Sequence, residues 1–115
     1  MQLKITIGSN TFTGTCSNDA TATAFKAMLP MTITMHELNR NEKYFDLPGD
    51  LPVNASNPAT IQAGDLMIYG SNTLVIFYKT FSTLYSYTRL GHIDDPAGLA
   101  AALGSGNVTI IFEAE

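Results

Sequence analysis

The stretch Asp65–Tyr78, "DLMIYGSNTLVIFY", limits the possible folds more than any other part of this chain. Two short runs rich in aliphatic and aromatic residues flank a Gly-Ser-Asn turn, the pattern of a β-hairpin. Neither run alternates cleanly between apolar and polar residues, so both faces of each strand are apolar. Such strands are stable only where both sides are covered. These strands are therefore expected to be central ones, covered on both sides.

The other segments read as strands of a more ordinary kind. Leu3, Ile5 and Ile7 alternate with Gln2, Lys4 and Thr6, and after a second "GSN" turn Phe12, Gly14 and Cys16 share one dry face opposite three threonines. Ser17 or Asn18 is the expected cap of a helix whose apolar stripe is Ala22, Phe25, Met28 and Leu29, ending before Pro30. Met31, Ile33 and Met35 then alternate with Thr32, Thr34 and His36. A polar turn leads into a short strand at Tyr44–Phe45. Residues 47–64, dense in Pro, Gly and Asn, form a long connection of the kind that is often functional or mobile.

Tyr87–Ile93 is a further strand. Asp95 is placed to cap a second helix with Pro96 in its first position, Leu99 and Leu103 on its apolar side and Gly104 at its end. Val108, Ile110 and Phe112 give the dry face of the last strand. The expected fold is mainly β: one domain over residues 1–115, with about eight strands and two short helices set between them. A closed antiparallel barrel patched by two capping helices satisfies that order and leaves no exposed sheet edge.

Charge narrows the partners. The net charge is −4, and the six Lys and Arg residues lie singly, so no basic stripe exists for nucleic acid or an anionic membrane. No apolar run approaches the roughly 20 residues that span a bilayer. The N-terminus reads as a strand rather than a signal peptide, which points to a cytoplasmic location. The single cysteine, Cys16, excludes an internal disulfide and a cysteine-rich metal site, and its place on a dry face makes it an inert core residue.

The densest chemistry lies in and around "FSTLYSYTRLGH", Phe81–His92. Tyr69, Tyr78, Phe81, Tyr85 and Tyr87 offer an amphipathic platform, with Phe77 assigned to the core. Ser71, Asn72, Ser82 and Thr83 are available as polar groups, as a binding pocket requires. On a regular strand Tyr87, Arg89, Gly91 and Ile93 share a face, which sets the Arg89 guanidinium over tyrosines to bind a carboxylate or carbonyl. The plainer alternative is an exposed strand arginine paired with a nearby carboxylate. His92 and Asp94 point the same way, but a metal site needs three or four ligands and the only other histidine is His36. No metal site and no cofactor are expected. A Ser86-His92-Asp94 set lacks the nucleophile elbow of a hydrolase, and Gly104-Ser105-Gly106 follows a helix rather than opening one, unlike a phosphate loop.

The segment "IQAGDLMIYGSNTLVIFYKTFSTLYSYTRLGHIDDPAGLAAALGSG", with "LNRNEKYFDLP" upstream, resembles the small bacterial cyclophilin-like domain proteins. The resemblance implies a cyclophilin-type β-barrel of about eight strands capped by two helices. It does not extend to the isomerase motif. True cyclophilins carry an arginine in a Phe-His-Arg-Val type strand before a Gly-Gly-Asp-Phe turn. Here the matching turn is Ala63-Gly64-Asp65-Leu66, and the strand before it, Tyr44-Phe45-Asp46-Leu47, has no arginine. The family's tryptophan is also missing. No catalytic residue is therefore assigned. The expected role is a binding module for a small molecule or an extended peptide, with Tyr69, Ser71, Asn72, Tyr78, Phe81, Tyr85, Tyr87, Arg89 and His92 as candidate contacts. A divergent prolyl isomerase using Arg89 as donor is the alternative.

Overall fold

A computed structural model describes residues 1–115. In chain order the elements are β1 (Gln2–Ile7), β2 (Asn10–Cys16), α1 (Ala20–Lys26), β3 (Met31–Leu38), β4 (Glu42–Asp46), β5 (Thr60–Ile61), β6 (Asp65–Tyr69), β7 (Thr73–Phe77), β8 (Phe81–Ser82), β9 (Thr88–Ile93), α2 (Leu99–Leu103) and β10 (Val108–Ala114). Eight strands close into a barrel in the order β1-β10-β3-β4-β7-β6-β9-β2, and β5 and β8 pair as a separate two-stranded ribbon. Every pairing is antiparallel.

The barrel interior is filled by the alternating residues read from the sequence. Leu3, Ile5 and Ile7 of β1, Ile33 and Met35 of β3, and Ile110 and Phe112 of β10 join Leu66, Ile68, Leu74 and Ile76 in one cluster. Both helices feed it. Phe25 of α1 meets Phe112 edge to face at 6.0 Å, and α2 contributes Leu99 and Leu103. The caps differ from expectation. Asp19, not Ser17 or Asn18, closes α1 by accepting from Ala22 N at 3.0 Å. Asp95 does not cap α2; its Oδ1 accepts from Ala97 N at 3.1 Å and holds a preceding turn, so the helix starts later, after Gly98 at φ 79°.

The β6–β7 hairpin is covered on both sides. Met67, Val75 and Phe77 point outward and form a second cluster with Ile61 and Tyr87, against which Tyr44 and Phe81 pack. The β5–β8 ribbon and the residues before β9 are what cover that outer wall. The 47–64 connection is correspondingly well tied. Leu47 and Leu51 are buried in the barrel cluster, their amides donate to Asn72 O and Ser71 O at 2.8 Å each, and Ser56 bridges Tyr87.

One strand departs from simple alternation. Opposite β6 the register of β9 shifts, with Leu66 facing Gly91 but Met67 facing Arg89. Leu90 is the extra residue of a bulge, and it turns inward with Ile93. Arg89 and His92, placed on opposite faces by sequence alternation, are both exposed.

Candidate functional site

The outer wall carries a groove of about 380 Å³ whose floor comes from three neighbouring strands. Glu42, Tyr44 and Asp46 of β4 alternate outward, opposite inward Lys43 and Phe45. The register sets Glu42 beside Phe77, Tyr44 beside Val75, and Asp46 beside Thr73. Tyr69 continues this face on β6, paired with Thr73. Tyr85 and Tyr87 rise from the segment before β9 as a wall. Tyr69 meets Tyr87 at 5.6 Å between ring centroids and Tyr85 edge to face at 6.3 Å. Tyr87 is buried and stands edge to face on Phe77 at 5.5 Å, which ties the wall to the outer cluster.

At the other side the β3–β4 turn forms the rim through Leu38 and Asn39. Asn39 and Arg40 have left-handed φ of 55° and 57° at the centre of a turn closed by Asn41 N donating to Leu38 O at 3.3 Å, within a three-residue connection that sets Leu38 opposite Glu42. The groove runs on into a second recess that shares Asn39, Glu42, Tyr85 and Tyr87 and adds Asn41, Phe81 and Thr83. Glu42 therefore lies at the junction of the two. It is 8% exposed, and no protein group hydrogen-bonds or ion-pairs with its carboxyl. Burial, with added repulsion from Glu37, pushes that carboxyl up to about 7. Burial and the Glu42 charge also raise the Tyr87 phenol. Asn41 Oδ1, buried nearby, has no donor.

Of the candidate contacts read from sequence, the structure brings Tyr69, Phe81, Tyr85 and Tyr87 together. It takes the others elsewhere. Ser71 Oγ donates to Asp50 Oδ1 at 2.8 Å and Asn72 Nδ2 to Leu47 O at 3.1 Å, so both hold the 47–51 segment. Tyr78 falls on the inward phase just beyond β7, and its hydroxyl donates to Glu37 Oε1 at 2.6 Å. Arg89, opposite outward-facing Met67, lies 3.5 Å from Asp65 and lines a different, polar recess with Asp19, Thr21 and Asn54. His92 and Asp94 sit 3.6 Å apart on the surface, where Thr15 Oγ1 donates to Asp94 at 2.6 Å. No three His, Cys, Asp or Glu side chains come together in a metal-holding group.

Glu42, Tyr44 and Asn41 were missed because "LNRNEKYF" reads as a polar turn with a strand beginning only at Tyr44. The signal available was the alternation Glu42-Tyr44-Asp46. An inward lysine between them disguises it.

The family model described as "Cyclophilin-like family" matches residues 5–113. No curated protein matches the chain.

Proposed function

This chain belongs to the cyclophilin-like family, and from that membership we propose that it works as a binding barrel without isomerase chemistry, holding a small molecule or an extended peptide in the outer tyrosine groove. The observation that carries this reading is the convergence of Tyr69, Tyr85 and Tyr87 with the open floor of β4, β6 and β7. Aromatic walls with a few polar groups are the common composition of a ligand site. Tyr85 is 65% exposed while its neighbour Tyr87 is anchored in the outer cluster, so one ring offers contact area and the other holds the wall in place.

A prolyl isomerase needs an apolar proline pocket beside a donor that steadies the twisted amide, against a rotation barrier of about 20 kcal/mol. Here the two parts are separated. The apolar groove is lined by no Arg, Lys or His, and Arg89 borders a recess of polar residues while facing Asp65.

Two measurements test the reading together. In an NMR exchange assay on proline peptides, the protein is expected to leave the cis–trans rate at its uncatalysed value. In amide-shift mapping with a small aromatic fragment set, binders are expected to perturb Tyr69, Tyr85 and Tyr87, with affinity falling about fivefold to tenfold in Tyr85→Ala. Catalysis that disappears in Arg89→Ala would replace this proposal with the isomerase. Fragments that bind only around Arg89, or not at all, would remove the groove from it.

A further inference from the structure

The groove has a charge character that the binding reading leaves unspecified. Its two recesses are lined by acids and neutral residues only, with Glu42 and Asp46 as the charged members. The nearest lysine in sequence, Lys43, projects to the opposite side of β4 and spends its ammonium on Glu37, Gly104 and Gly106. Glu42 is thus a buried carboxyl with no protein partner, opening where the two recesses meet. Partial burial works against its charged form, and a bound cation offsets that cost. Tyr44, Tyr69, Tyr85 and Tyr87 line the same groove. Ring faces attract an ammonium group, and a groove that combines such rings with a carboxylate favours alkylated amines over anions.

We propose that the groove is a receptor for an organic ammonium group, the head of a small amine or of a basic side chain, seated against Glu42 within the tyrosine walls. The proposal rests on the groove being the binding site and adds the chemical class of what it binds. The groups facing Glu42 are consistent with it. Leu38 comes from β3, Tyr44 from β4, Phe77 from β7 and Tyr87 from the segment before β9, while Glu37 and Tyr78 lie on the inner side and reach Glu42 only through their charge. None carries a positive charge. Glu37 is neutralised by Lys43 on the far side of the sheet. His36, paired with Tyr44 across β3 and β4, lies beside it on the same outer face at 5.5 Å between rings, but is not part of the groove lining.

Benzylammonium and its uncharged analogue benzyl alcohol make the test, each titrated into the wild-type protein and followed by amide shifts. At pH 8 benzylammonium is expected to bind at the groove tyrosines about tenfold tighter than the alcohol. Its affinity is expected to fall about tenfold by pH 5.5, where Glu42, with its value near 7, holds a proton. Glu42→Gln, nearly the same in shape, should erase both the preference and the pH dependence while the alcohol binds as before. Equal binding of the two probes to wild type would overturn the ammonium assignment and leave the groove reading intact. A preference that survives in Glu42→Gln, or that does not change with pH, would also overturn it. Failure of both probes to reach the groove would overturn the two proposals together.

Discussion

Replacing Gly91 with alanine is expected to open the barrel. A Cβ at this position would lie 2.3 Å from Thr15 O and 2.9 Å from Cys16 Cα, both backbone atoms of β2 that no rotamer change can move. The β2–β9 seam is short, pairing only Gly14 with Ile93, Thr15 with His92 and Cys16 with Gly91. Parting it by the distance a methyl group requires would weaken those pairings and uncover Leu90 and Ile93. A loss of about 3 kcal/mol or more is expected, above the usual range for one added methyl because backbone must shift. An opened seam also presents unpaired strand edges, so the variant should aggregate on heating. Denaturant unfolding checks this against Gly49→Ala, where nothing lies within 4 Å of the added carbon and stability should change by less than about 0.5 kcal/mol.

Lys43→Met should come next in cost. The Lys43 side chain is fully buried, and its ammonium donates to Glu37 Oε1 at 2.9 Å, Gly104 O at 2.8 Å and Gly106 O at 2.6 Å. It also sits 5.4 Å from the centre of the Tyr78 ring. One residue on β4 thereby ties β3 to the connection between α2 and β10. Methionine fills the same space but leaves two carbonyls and a carboxylate without their donor, which costs about 3 kcal/mol. The midpoint of thermal unfolding should fall by roughly 10 °C. The effect has a sign in pH. Burial works to raise the Glu37 carboxyl, but the Tyr78 hydroxyl, the Lys43 ammonium and the Arg40 amide together hold it below its usual value. A carboxyl lowered by folding stabilises fully above its unfolded value of 4.5 and loses that contribution as pH falls through its lower folded value. The advantage of wild type over Lys43→Met should therefore be full at pH 7 and shrink below about pH 4.5.

The barrel was legible because most of its strands obey one rule. Alternation in β1, β3 and β10 marks the inner face directly, and the two-sided hairpin β6–β7 announces that its outer face is covered as well. What covers it was not legible, since β5 and β8 are two-residue strands with no periodicity to read. The phase of β9 was lost for a different reason. A bulge is invisible in a six-residue pattern, and this one, falling just after Arg89, shifts the phase of the residues that follow so that Leu90 and Ile93 both turn inward.

The candidate site divides along the same line. Aromatic density around Tyr69, Phe81, Tyr85 and Tyr87 is a property of composition, and it carries through to the folded wall. Ser71 and Asn72 look free in a turn, yet they are consumed by the buried 47–51 segment. Glu42 and Lys43 mislead most. Adjacent charges in a polar stretch read as solvated, and only the strand direction shows that one faces the groove and the other the barrel interior.

The central claim is that the tyrosine groove holds an isolated carboxyl. Following the side-chain carboxyl carbon of Glu42 by NMR through a pH titration tests it directly, first in the free protein and then with benzylammonium. Titration at about 7 in the free protein, shifting to lower pH when the ammonium is bound, is the predicted result. A Glu42 that titrates near the ordinary 4.5 and ignores the ligand would contradict the account.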